Sequence, residues 1–212
     1  MNTNITTRNQ LLAEKIMKGL ESRNMVGHFA NNKEEALQIA LELIPEGASI
    51  GWGGSSSVRE IGLMDAIQNG NYTLYNRDNA PDLAARKAIE RQIFGANFFL
   101  CSSNAITEDG ILVNIDGNSN RVAAIAYGPD QVIMVVGMNK VAKDVDAALS
   151  RARNTAAPIN AMRFPIETPC KHTGSCADCK SPSTICCQFL VTRYSKHAGR
   201  IHVILVNDTL GY

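Results

Sequence analysis

Gln131-Val-Ile-Met-Val-Val-Gly137 decides the architecture of this chain. A continuous apolar run of that length, without polar alternation, suits a strand buried on both faces, as in a parallel sheet covered by helices. Outward from it, Phe98-Phe-Leu-Cys101, Ala48-Ser-Ile-Gly-Trp52, Tyr72-Thr-Leu-Tyr75 and Ile201-His-Val-Ile-Leu-Val206 read as further strands. Helical segments fall between them. Leu11, Leu12, Ile16, Met17 and Leu20 form a stripe within 6–24, and Asn32-Lys-Glu-Glu35 is a capping box whose helix stops at Pro45-Glu-Gly47. Ser57-Val-Arg-Glu60 opens another helix running to about Asn69-Gly70, Pro81 to Phe94 is helical, and Val141 to Thr155 is helical with its boundary at Pro158. The alternation predicts one α/β domain over 1–212: a Rossmann-like, mostly parallel sheet with helices on both faces.

Whole-chain numbers exclude several classes. The 212 residues suffice for a substantial core, and 45% hydrophobic with 19% charged residues is ordinary globular composition. A net charge of +1, with no basic runs carrying interleaved aromatics, gives no argument for a nucleic-acid partner. No stretch approaches the roughly 20 apolar residues that span a bilayer, and no signal core opens the chain, so a cytoplasmic protein is expected.

Two stretches carry candidate chemistry. After the Trp52 strand, Gly53-Gly-Ser-Ser-Ser57 leads into a helix; glycines let the backbone approach a ligand, and the first helical N–H groups attract an anion. The alternative is a glycine turn with a serine cap. The spacing matches neither the dinucleotide fingerprint nor a P-loop. The second stretch, Ala105 to Arg121, sets Asp109-Gly110 and Asp116-Gly117 turns around a return strand, Ile111-Leu-Val-Asn-Ile115. It reads as an active-site floor. Glu108 or Asp109 is a candidate general base, because a carboxylate partly desolvated among apolar strands gains proton affinity. Asn114, Asn118 and Asn120 offer amides to a hydroxyl or carboxylate, and Arg121 offers a planar fork for an oxyanion or, alternatively, a salt bridge to Asp116.

Gly51-Trp-Gly-Gly-Ser-Ser-Ser57, Ser103-Asn-Ala-Ile-Thr-Glu-Asp-Gly110, Asn114-Ile-Asp-Gly-Asn-Ser-Asn-Arg-Val-Ala-Ala124 and Val136-Gly-Met-Asn-Lys140 together resemble the lactate-utilisation (LUD) domain family. The resemblance covers nearly the whole chain. It implies the fold of the ribose-5-phosphate isomerase, glucosamine-6-phosphate deaminase and CoA-transferase group, and a link to bacterial oxidation of L-lactate to pyruvate. Fold relatives bind phosphorylated sugars or acyl thioesters at the loop matching Gly53 to Ser57. The sugar-phosphate deaminases follow their Asp-Gly with a histidine; Ile111 stands there in this chain, which argues against that chemistry.

Cys170, Cys176, Cys179, Cys186 and Cys187 crowd into eighteen residues, while Cys101 stands alone. In a chain expected in a reducing compartment, such density favours metal over disulfides, though free or redox-active thiols remain an alternative. Four thiolates complete either a tetrahedral zinc site or a [4Fe-4S] site, and the spacing is not a ferredoxin run. The redox setting implied by the family favours iron-sulfur, with zinc as the alternative and His172 as a substitute ligand. The segment from about 165 to 200 is expected as a metal-stapled loop before the last strand.

The functional expectation is a component of L-lactate or related hydroxy-acid oxidation. Its crevice lies between Gly53, Gly54, Ser55, Ser56 and Ser57 on one side and Asn104, Thr107, Gly110, Asn114, Asn118, Asn120 and Arg121 on the other, and holds a small anionic ligand. Other lactate-oxidation subunits are expected partners, with self-association left open. Two alternatives stand beside it: an iron-sulfur electron-transfer or assembly subunit without its own catalysis, and a hydrolase or transferase acting on a phosphorylated or CoA-ester substrate.

Overall fold

A computed structural model describes residues 3–212. In chain order the elements are α1 (Thr3–Glu21), β1 (Val26–Ala30), α2 (Lys33–Leu43), β2 (Ser49–Trp52), α3 (Ser56–Glu60), α4 (Leu63–Asn69), β3 (Thr73–Leu74), α5 (Leu83–Ile93) and β4 (Phe98–Cys101). Then follow β5 (Ala105–Thr107), β6 (Leu112–Asp116), α6 (Asn120–Ala126), β7 (Gln131–Gly137), β8 (Val141–Ala142), α7 (Val145–Arg151), α8 (Ala157–Ala161), α9 (Pro169–Thr173), β9 (Gln188–Thr192) and β10 (Ile201–Val206). Six strands form an all-parallel sheet in the order β1-β10-β7-β4-β2-β3. The apolar run at β7 lies inside it, flanked by β10 and β4.

Strand alternation divides the core in two. Ile133 and Val135 of β7, with Phe98 and Leu100 of β4 and Ile50 and Trp52 of β2, meet α2, α3 and α4 on one face. Val132, Met134 and Val136, with Phe99 and Cys101, meet α1, α6 and Ile93 of α5 on the other. Helices on both faces explain why β7 carries no polar alternation: Val132 to Gly137 are all buried.

The structure differs from the sequence reading at three places. The return strand, observed as β6, pairs antiparallel with β5, and the two belong to a second mixed sheet, β8-β5-β6-β9, outside the main one. The cysteine-rich segment is not all loop: β9 pairs with β6 from Gln188 to Thr192, and α9 carries Cys170. The helix of 141–155 starts at Val145, since Val141 and Ala142 pair with β5, and it does not end at Pro158. A π-helical turn at Ala152–Ala156 precedes Pro158, so the chain stays helical through α8. A widened turn relieves the clash of a proline ring with the preceding turn.

Helix starts follow the local chemistry with one shift. The Asn32 side chain accepts from the Glu35 N–H at 2.8 Å, as the capping box predicts, but the Glu35 carboxylate turns back to the Asn31 N–H. Ser55 rather than Ser57 caps α3, its hydroxyl accepting from the Val58 N–H at 3.3 Å. Gly62, at φ 78°, then breaks the predicted single helix into α3 and α4.

Candidate functional site

The main sheet reverses its direction of growth between β2 and β4. From β2 the chain winds outward to β3, and from β4 it returns the other way to β7. Adjacent strands whose exits diverge leave a crevice at their carboxyl ends, where ligands of open α/β sheets bind. Here that crevice is lined by Gly54, Ser55, Ser56 and Ser57 after β2, Ser102, Ser103 and Asn104 after β4, and Lys140 after β7. Ile115, Arg121, Asn160, Arg163, Gly211 and Tyr212 complete it. Its volume is about 90 Å³. The crevice opens to solvent on one side, so a bound molecule can extend beyond it.

The lining holds Lys140, Arg121 and Arg163 and, among the described residues, no aspartate or glutamate side chain. Lys140 is 3% exposed, and its Nζ donates to the Ser57 hydroxyl at 2.9 Å and the Ser102 hydroxyl at 3.0 Å. Burial first, and then the nearby Arg151 charge, lower its pKa to about 7. Arg163, which is exposed, donates from Nη1 to the Tyr212 hydroxyl at 2.8 Å and Asn160 Oδ1 at 3.2 Å.

Arg121 departs from expectation. Its Nη1 donates to Asn114 Oδ1 at 2.6 Å and the Ser102 carbonyl at 3.3 Å, and its Nη2 to Asn104 Oδ1 at 3.1 Å and the Ile115 carbonyl at 2.5 Å. The fork is occupied by the protein, so Arg121 gives the crevice positive charge rather than a free bidentate hand. Nor does it pair with Asp116, whose carboxylate caps α6 by accepting from the Arg121 and Val122 N–H groups. Gly53 stands behind the guanidinium stem: a Cβ there would lie 3.1 Å from Arg121 Cδ.

The hairpin of β5 and β6 therefore has two ends with different work. Asn104, Asn114 and Arg121 meet at the crevice end, whereas Thr107, Glu108, Asp109 and Gly110 turn away and dock on α1. A Cβ on Gly110, at φ 87°, would lie 2.6 Å from the Leu20 nitrogen, so only glycine lets this turn sit so close to the helix. The raised proton affinity expected of Glu108 and Asp109 is overturned. Glu108 accepts from Lys15 at 2.6 Å and Lys143 at 3.1 Å, and these bonds, Lys15 first, hold its carboxyl below the usual range. The Thr107 hydroxyl, and then Arg23, do the same for Asp109. Neither carboxylate lines the crevice. Asn118 is exposed in the turn before α6, and Asn120 donates to Glu90 at 3.0 Å.

Lys140, Ser102, Ser103, Asn160, Arg163 and Tyr212 were not foreseen. Lys140 carried a signal: it lies three residues past the end of a strand with no exposed face, where a side chain at the carboxyl edge points into the crevice.

A second pocket gathers thiols. Cys170, Cys176, Cys179 and Cys186 line it with Thr168, Arg153, Asp178, Pro158 and Phe189, while Cys187 is exposed and His172 turns out to Glu167 at 2.9 Å. Burial pushes the Cys186 thiol up to about 11, and Cys176, Cys170, Cys179 and Cys187 add to that. All six cysteines are free. Among the described residues, no three His, Cys, Asp or Glu side chains converge tightly enough for a single metal ion. The helix α8 stands between the pockets, with Asn160 on the crevice and Pro158 on the thiols.

Fold and crevice together define a doubly covered α/β domain with a cationic site at the carboxyl edge of its sheet. A sequence profile of the LUD domain matches residues 13–206, and the chain belongs to the LUD domain family. Membership suggests a role in lactate utilisation. A crystal structure of a DUF162 family protein from Deinococcus radiodurans shares the fold, with a TM-score of 0.52 and 13% identity over 94% of this chain and 98% of that one. No curated protein matches the chain. Among the described residues no helix is long and apolar enough to cross a membrane.

Proposed function

We propose that this protein binds a small 2-hydroxy or 2-oxo acid at the β2–β4 crevice and serves in the oxidation of lactate or a related hydroxy acid. One observation carries the reading: the Arg121 and Arg163 guanidiniums and the Lys140 amine share one crevice with no aspartate or glutamate side chain to neutralise them. A bound carboxylate supplies the missing charge. Ser55 to Ser57, Ser102 and Asn104 supply hydroxyl and amide partners for the hydroxyl or oxo group. Membership of the LUD domain family, with the role in lactate utilisation it suggests, favours such an acid over a sugar phosphate or a CoA ester. Lactate and pyruvate should each raise the melting temperature saturably, since a ligand at a hundred times its Kd adds about 2.7 kcal/mol. Arg163→Ala, which removes an exposed cation, should weaken both at least about tenfold, the loss of one charge-assisted bond. A shift with sugar phosphates and none with the acids would overturn the reading in favour of a transferase or hydrolase.

A second reading concerns the thiol pocket, because four sulfurs face one space and the other three add to the raised proton affinity of Cys186. A soft, multiply charged centre relieves that repulsion. A [4Fe-4S] cluster, whose corners keep its thiolates further apart than a single zinc does, suits the separated cysteines better; when bound it would carry electrons. Cys170, Cys176, Cys179 and Cys186 would hold it. Protein purified without oxygen should contain iron and sulfide and show a visible charge-transfer band that Cys179→Ser weakens. Colourless, metal-free protein would refute this reading and leave the crevice unaffected.

A further inference from the structure

Lys140 does more in this geometry than offer charge. Its amine is enclosed by the exits of three neighbouring strands, yet it opens onto the crevice. Ser102 gives its own proton to the Ser103 carbonyl at 3.2 Å and so accepts from Nζ, and Ser57 is the second hydroxyl partner. A neutral amine has two N–H donors and one lone pair. Two hydroxyl acceptors match the two donors, which leaves the lone pair as the remaining direction. Gly211 keeps the C-terminal segment from filling that space: a Cβ there would lie 3.3 Å from Nζ and 2.9 Å from the Ser57 hydroxyl oxygen.

We propose that Lys140 is a nucleophile that captures the carbonyl of a 2-oxo acid as an imine, within the crevice bounded by Ser57, Ser102, Arg121 and Arg163. The proposal rests on the small-acid reading of that crevice and names its reactive residue. The Nζ lone pair forms a bond to the keto carbon, and the carbonyl π pair moves to oxygen, which takes up a proton while nitrogen gives one up. The resulting hydroxyl then leaves as water with one further proton, as the nitrogen lone pair closes the C=N bond. No oxidant or reductant is needed. The product iminium draws electrons from the neighbouring carbons, the activation that imine-forming lysines supply.

The environment favours the neutral amine at ordinary pH. The charged and titratable groups around Nζ are Arg151 on α7, Arg121 on α6, Glu60 on α3 and Cys101 at the end of β4. Arg151 and Arg121 oppose protonation, Glu60 and Cys101 favour it, and burial outweighs all four, so the amine loses its proton at about pH 7. Capture should rise through that pH and level off above it.

The test incubates the full-length protein with pyruvate and then sodium cyanoborohydride, followed by intact-mass measurement and peptide mapping. The expected result is one reduced pyruvyl adduct per chain, mapped to Lys140, lost in Lys140→Met and half-maximal in rate near pH 7. Calorimetric titration with pyruvate, without reductant, is run in parallel. Pyruvate that binds but leaves no adduct on Lys140 overturns the nucleophile and leaves the small-acid reading standing. Absence of both binding and adduct overturns the two together. An adduct spread over exposed lysines, and unchanged in Lys140→Met, also refutes the assignment.

Discussion

Arg121→Ala should cause the largest loss of stability of any single change at the crevice. The guanidinium satisfies two side-chain amide oxygens and two backbone carbonyls, and so ties β6 and the segment after β4 to α6. Asn114 is fully buried, and without Arg121 its oxygen has no protein donor to replace a bond of 2.6 Å. Charge-assisted bonds contribute about 1.5–3 kcal/mol each, but water entering the open crevice replaces some of them. A net loss of about 3 kcal/mol, or roughly 6–12 °C in melting temperature for a chain of this size, is therefore expected. Arg121→Lys should recover less than half, because a single ammonium cannot reach four acceptors set in a plane. Thermal unfolding followed by circular dichroism measures both. An alanine variant that melts within about 1 °C of the parent would refute the structural role.

Lys140→Met should do the opposite. The lysine is buried without a carboxylate partner, and methionine fills a similar length without a charge to desolvate. Replacing such a cation by an apolar side chain removes that desolvation cost, and each kcal/mol regained raises the melting temperature by about 2–4 °C in a chain of this size. The sign with pH follows from the lowered pKa. Below about pH 7 the folded protein holds the amine charged in a desolvated place, and the full cost is present. Between that pH and the unfolded value of 10.5, the folded state sheds the proton while the unfolded state keeps it. Parent stability therefore rises with pH across this window, and the advantage of Lys140→Met shrinks to nothing above it. Melting temperatures of both proteins at pH 6 and pH 10 check this. A gap that widened with pH would refute it. The same variant should bind small acids poorly, the usual relation between a strained functional group and stability.

How far the site was legible depended on distance along the chain. The serine-glycine loop after Trp52 and Asn104 with Arg121 were recognisable, because local turn chemistry places those groups at strand ends, and both lie at one crevice. Glu108 and Asp109 misled for the same local reason. A carboxylate in a turn between apolar strands reads as desolvated, but Lys15, Arg23 and Lys143, distant in sequence, reach these two from α1, from the turn after it and from the segment before α7. Arg163 and Tyr212, 49 residues apart, meet only because α8 and the C-terminal segment close over the same strands.

Taken alone, the sequence determined the covered parallel sheet, since the unbroken apolar run at β7 is stable only with helices against both its faces. It also determined the helix start at Asn32, where the side-chain oxygen meets the N–H group three residues on. Tertiary structure alone decided which polar groups keep their charge free for a ligand. Ionisation and hydrogen bonding depend on every group within a few ångströms, and at Lys140 those groups come from α3, β4, α6 and α7.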